Sequence, residues 1–189
     1  RPPTTPIAIE NPAHMQRTTN VFERGNWIVK GKTVQAGVPK LLGNVPQNAP
    51  NNRLGFVQWL VDKKNPLTAR TMVNRLWEQV FGMGLAETLE DLGSQGAIPT
   101  PPELLDYLAW QFMHQQQWSI KTALKEMLCT NTYQQKAEAS PELYEKDPYN
   151  RYYARGPRVR LSAEQVRDQA LALSGLMSTK MYGPGVMPF

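Results

Sequence analysis

Between Asn65 and Gly82 the sequence specifies one strongly amphipathic helix, and the rest of the chain has to accommodate it. Asn65 can accept from the free N–H groups of a first turn, Pro66 suits the first helical position, and Gly82 provides a left-handed stop. Between them Ala69, Met72, Val73, Leu76, Trp77, Val80 and Phe81 recur at spacings of three and four and fall on one face. That face has to be covered by other elements, and the sequence offers more helices to do it.

A helix is expected from Arg53 to about Lys64, with Leu54, Val57, Trp59, Leu60 and Val61 as its apolar residues. Thr100-Pro101-Pro102-Glu103 reads as a capping box ahead of Leu104, Leu105, Leu108 and Phe112. Ser119 caps a helix carrying Ile120, Ala123, Leu124, Met127 and Leu128, and Ser140-Pro141 starts a short one that stops before Asp147-Pro148. Ser162-Ala163-Glu164-Gln165 is a second capping box, ahead of Val166, Ala170, Leu173 and Met177. Residues 1–52 differ: seven of the 16 prolines lie here, amid Asn and Gly, and proline both fixes φ and removes a backbone donor. The one strand expected there is Trp27-Ile28-Val29-Lys30, between the turn signals Gly25-Asn26 and Gly31-Lys32. The fold class is therefore mainly α, a single helical domain of about five or six helices over 53–189, with an extended, loop-rich arm over 1–52 packed on it. The chain starts at Arg1 and ends in a Gly/Pro-rich segment, so it is expected to be a piece of a longer polypeptide.

Composition narrows the chemistry. With 189 residues, 41% hydrophobic and 20% charged, the chain is long and apolar enough for a globular core. No apolar run approaches the roughly 18 residues of a membrane-spanning helix. A lone cysteine, Cys129, excludes an internal disulfide framework, a Cys-rich zinc site and a CxxCH haem attachment; it is expected to be a buried, inert thiol. Two histidines, His14 and His114, exclude most multi-histidine metal sites, and His114 is expected to be solvated at a helix end. No metal site, phosphate-binding glycine loop or nucleophile elbow is present, so any catalysis would rest on Asp, Glu, Arg and Lys.

Four groups of charged residues stand out. Asn74 and Arg75 lie beside the apolar stripe, and the acidic loop Glu87-Thr88-Leu89-Glu90-Asp91-Leu92-Gly93 is their expected partner through a structural Arg–Asp tether. Glu103 and Asp106 follow in the next helix. Glu164 and Asp168, four apart near the start of the last helix, share a face with Arg167 beside them, and Arg158 or Arg160 can neutralise them. If the chain is an enzyme, the acid–base candidates are Asp91, Glu103, Asp106, Glu164 and Asp168. The segment from Tyr149 to Arg160 interleaves arginines with tyrosines, a composition that suits nucleic acid but equally an internal role. No recognised nucleic-acid fold accompanies it, so the internal role is preferred. Formal charges by segment run +4 over 1–52, +3 over 53–82, −5 over 83–117, −1 over 118–148 and +4 over 149–189, a pattern suggesting internal pairing rather than an anionic partner.

Several of these segments together resemble a known family. Asn65-Pro66-Leu67-Thr68-Ala69-Arg70, Val73-Asn74-Arg75-Leu76-Trp77 and Phe81-Gly82-Met83-Gly84-Leu85 are similar to its opening signature. Asp91-Leu92-Gly93, Pro102-Glu103-Leu104-Leu105-Asp106, Trp118-Ser119-Ile120-Lys121, Thr132-Tyr133-Gln134-Gln135, Asp147-Pro148-Tyr149-Asn150 and Arg160-Leu161-Ser162-Ala163-Glu164 with Arg167-Asp168 continue it in order. The family is the domain of unknown function found downstream of planctomycete-type cytochrome c domains in large exported bacterial proteins, and the resemblance runs from about Arg17 to the last residue. It departs from the family pattern at Leu92, usually aromatic, and at Cys129, usually a small hydroxyl residue. The resemblance implies a periplasmic or extracellular setting, haem elsewhere in the full protein and none in this chain, and no catalytic residues. The expected function is a helical structural and interaction module, its partners other domains of the same polypeptide or an exported redox assembly; nucleic acid is not expected. The competing expectation is a hydrolase acting on extracellular polysaccharide through the carboxylates named above.

Overall fold

The computed structural model describes residues 4–183. Its elements in chain order are β1 (Thr19–Phe22), β2 (Lys30–Val34), α1 (Arg53–Leu60), α2 (Leu67–Phe81), α3 (Pro102–His114), α4 (Ile120–Leu128), α5 (Pro141–Lys146) and α6 (Ala163–Leu173). The fold is mainly α, with one small antiparallel sheet in a loop-rich N-terminal region.

α2 is the axis of the core. Its buried face of Ala69, Val73, Trp77 and Phe81 meets Leu105, Ala109 and Phe112 from α3 and Ala123 and Met127 from α4. These are the positions the three-and-four spacing selects, because side chains so spaced stack on one side of a helix. Leu85 and Tyr153 reach the same core from loops. Trp77 and Phe81 stack at 4.1 Å, and Tyr153 meets both edge-on at 5.2 and 5.5 Å. Fully burying one large apolar side chain contributes about 1.5–3 kcal/mol, so this one cluster carries much of the stability of the domain.

Helix ends follow local chemistry. Asn65 Oδ1 accepts from the N–H groups of Leu67 and Thr68 at 3.0 and 3.4 Å. Gly82 closes α2 at φ 83°, its N–H donating to Glu78 O at 2.7 Å. Asn52, Ser119 and Ser140 cap α1, α4 and α5, and Ser162 with Gln165 completes a reciprocal capping box on α6. The box expected at Thr100 does not form. α3 begins at Pro102, so Pro101 holds the cap position and Glu103 is one residue short of the place from which it would reach back. Thr100 instead donates its backbone N–H to Leu85 O at 2.8 Å, anchoring the chain entering α3 to the loop after α2.

Two further expectations are corrected. Trp27–Val29 are not strand: Asn26 Oδ1 accepts from Ile28 N–H and Asn26 O accepts from Val29 N–H, wrapping them into the hairpin connection, and β2 starts only at Lys30. The unexpected partner strand β1 pairs Thr19 with Val34, and Asn20 fixes the register by donating to Gly31 O and Thr33 Oγ1. α6 has no buried residue, with Val166 54% and Leu173 84% exposed, so its apolar stripe faces solvent. Cys129 is exposed at the C-cap of α4, because the buried face of that helix is set by Ala123 and Met127, four apart.

Around the α1 start, Glu10 accepts from Arg53 N–H at 3.0 Å and Arg53 donates to Ile9 O, while Trp59 Nε1 donates to Leu42 O at 3.3 Å. Among the described residues no helix is long and apolar enough to cross a membrane.

Candidate functional site

Two loops converge at the C-terminal end of α2. The first runs from Met83 to Thr100. Asn74, fully buried on α2, donates from Nδ2 to Ala86 O at 2.8 Å and accepts Ala86 N–H on Oδ1 at 2.9 Å. One side chain thus satisfies both backbone groups of a buried residue. Gly84 makes room for it: a Cβ there would lie 2.8 Å from Asn74 Oδ1. Further along, Thr88 Oγ1 donates to Asp91 O and accepts from Ala97 N–H, and Asp91 Oδ1 accepts from Gly93 N–H at 2.7 Å.

The second loop follows α5 and is held more tightly still. The buried Asp147 carboxylate accepts the N–H groups of Arg151 and Tyr152 at 2.8 and 3.0 Å. Asn150 brackets Arg155, donating to its O at 2.9 Å and accepting its N–H at 3.2 Å. The buried Arg155 guanidinium donates to Asp147 O and Pro148 O at 2.9 and 2.7 Å and lies 4.4 Å over the Tyr144 ring. A guanidinium is suited to this because its rigid fork serves two carbonyls while its face stacks on an aromatic ring. Arg151 pairs with Glu87 and so ties this loop to the first. Tyr153 plugs the core, with its OH 3.2 Å from Gly84 O. Burial pushes its phenol up to about 12; the Trp77 indole N–H opposes the rise without completing a hydrogen bond, and the Asp147 charge adds to it.

Beside these loops and the end of α2 lies a cleft of about 510 Å³, its lining including Phe81, Met83, Tyr149, Val159 and the exposed Arg158 and Arg160. Gly82 sits at its base, where an added Cβ would meet Val159 Cγ2 at 2.7 Å.

The carboxylates singled out in the sequence are dispersed over different elements. Asp91 closes its own turn, Glu103 is exposed on the first turn of α3, and Asp106 pairs with Arg70 Nε at 2.7 Å. Glu164 and Asp168 lie on the exposed face of α6, Asp168 at 3.7 Å from Arg167. The Glu164 carboxyl is held below its ordinary value by its own backbone N–H and by Ser162, the opposite of what a general acid needs. Of the residues expected around the acidic loop, Asn74 reaches it, whereas Arg75 is exposed and pairs with no carboxylate among the described residues. The same holds of Arg158 and Arg160. His114 is exposed and stacks on Trp110. Asp147 and Asn150 were legible only within the family motif Asp147-Pro148-Tyr149-Asn150, and Arg155 only as part of the Arg/Tyr run; their pairing lies across a loop and has no period to reveal it.

The model of the family described as PSD1, protein of unknown function (DUF1553), matches residues 52–189. The chain belongs to the PSD1 family. The match takes in α1 to α6 and both loops of the cleft, and starts one residue before α1. No curated protein and no solved structure matches the chain. With one cysteine, this PSD1 domain has no CxxCH motif for covalent haem attachment. Among the described residues, no three His, Cys, Asp or Glu side chains gather to hold a metal ion.

Proposed function

We propose that this chain is a helical structural and interaction module of an exported, cytochrome-c-associated multidomain protein. The observation that carries the reading is α6. It is a helix of 11 residues with an apolar stripe and no buried residue. Isolated helices shorter than about 12–15 residues are marginal in water and depend on packing of one face. Leu176 and Met177 extend the exposed apolar surface past its end, and Leu54, Phe56, Val57 and Val61 expose a second one on α1. Surfaces of this kind mark contact sites with other proteins or domains. The motif order set out above, with the family match, supports partners of the kind that resemblance implies: other domains of the same polypeptide, or an exported periplasmic or extracellular redox assembly. The polysaccharide-hydrolase alternative needs two convergent carboxylates with separated proton affinities. Asp91 closes a loop turn, Glu103 and Asp106 are exposed on α3 with Asp106 paired to Arg70, Glu164 and Asp168 are exposed on α6, and the one with a displaced affinity moves the wrong way for an acid.

The test is native purification of the full-length protein from its source, with lysine-directed crosslinking and absorbance spectroscopy. The expected result is a haem absorption band in the same assembly and crosslinks joining Lys180, just beyond α6, to another domain. A solitary, haem-free chain with no crosslink outside its own fold would contradict the reading.

A further inference from the structure

Among the described residues, the Arg/Tyr segment holds two arginines that make no ion pair. Arg155 is saturated by two carbonyls and a tyrosine ring, and Arg151 is paired with Glu87. Arg158 and Arg160 are exposed, and among the described residues neither donates to a carboxylate. Both line the cleft of about 510 Å³ at the end of α2. Two guanidinium groups beside low-dielectric walls, with no counter-charge between them, concentrate a positive field in that cleft. Each can grip a carboxylate through two parallel N–H bonds. Phe81 and Met83 add apolar lining, and Tyr149 lines the cleft with 76% of its surface exposed. The loop that leads into this segment is held by six hydrogen bonds from Asp147, Asn150 and Arg155 to one another and their neighbours, which reduces the ordering left to binding there.

We propose that this cleft binds an acidic polypeptide segment, placing carboxylates on Arg158 and Arg160 and a neighbouring apolar or aromatic side chain against Tyr149, Phe81 and Met83. The proposal deepens the interaction-module reading and rests on it. A bare oxyanion would leave the apolar lining uncovered. A nucleic acid gains its affinity from many phosphate contacts, about 6–10 in a typical duplex-binding protein, and the cleft offers two exposed arginines.

The test is fluorescence anisotropy of the chain with a labelled peptide of Asp and Glu around a central Tyr. Controls are its Asn/Gln isostere, a labelled single-stranded oligonucleotide and free sulfate as competitor. The acidic peptide is expected to bind at least about tenfold more tightly than the isostere, the size of effect given by charge-assisted hydrogen bonds. The double variant Arg158→Glu/Arg160→Glu, at exposed positions, is expected to lose at least that factor with an unchanged circular dichroism melt, and Tyr149→Ala to weaken binding several-fold. Four results would overturn the proposal: equal binding of peptide and isostere, unchanged binding by the double variant, tighter binding of the oligonucleotide, or a self-association of the chain that the double variant abolishes. Displacement of the peptide by millimolar sulfate would overturn it too, by reducing the site to a simple anion site. If the peptide fails while haem and the Lys180 crosslinks copurify, the cleft assignment falls and the module reading stands.

Discussion

Asn74 presents a donor and an acceptor to the two backbone polar groups of Ala86, and the whole cluster is closed to water. Replacing it with Ala leaves a buried N–H and a buried C=O unpaired, at about 1–3 kcal/mol each. Asn74→Ala is therefore expected to lose about 2–5 kcal/mol in urea unfolding, whereas Arg75→Ala, one residue on but exposed, is expected to change stability by less than about 0.5 kcal/mol. Tyr153 gives a pH signature. Its phenol is raised to about 12 in the folded chain, against about 10 for an unperturbed tyrosine. The folded state thus holds this proton after the unfolded state has released it. The stability linked to it is complete below pH about 10 and is lost as pH rises through about 12. Absorbance titration at 295 nm should show one of the seven tyrosines ionising near 12, and Tyr153→Phe should remove that step and flatten the fall in stability over this window. The sequence showed Asn74 and Tyr153 only as residues beside an apolar stripe and within an Arg/Tyr run; which backbone groups they satisfy depends on loops brought together from 12 and 69 positions away.

At the scale of elements, α2 was the most legible because its start, stop and apolar face are all local. The cap atoms of Asn65, the left-handed Gly82 and the spacing of Ala69, Val73 and Trp77 need no knowledge of the rest of the chain. Gly82 carries two constraints, a positive φ and close contact with Val159. Gly82→Ala is expected to cost about 1–2 kcal/mol from the left-handed conformation alone and to shift Val159, with it the wall that bears Arg158 and Arg160. Thermal melts and the peptide titration of the cleft would register both. The start of α3 was misread for a related reason: Thr-Pro-Pro-Glu has the letters of a capping box, but the second proline takes the first helical position and moves the register by one. The apolar stripe of α6 was legible but its exposure was not: periodicity reports that a helix has an apolar side and not what covers it, and among the described residues nothing covers Val166 or Leu173.

For the whole molecule, the segmental charge pattern is only partly resolved internally. Arg70–Asp106 and Arg151–Glu87 join basic segments to the acidic stretch, and both are exposed pairs of the kind that contribute about 0–1 kcal/mol. Stability therefore rests on the α2–α3–α4 core, and on the proposed reading the exposed arginines and the exposed apolar face of α6 are where contacts beyond this chain form. Removing apolar contacts from α6 should leave the core intact: Val166→Ser is expected to change unfolding stability by no more than a surface substitution does, about 0.5 kcal/mol, while weakening association of the full-length protein. The most direct measurement of the central claim is hydrogen exchange across residues 163–173, in the isolated chain and in the native full-length assembly. The account predicts fast exchange of these amides in the isolated chain and strong protection in the assembly, with the core amides of α2 slow in both. Equal protection of α6 in the two states would contradict it.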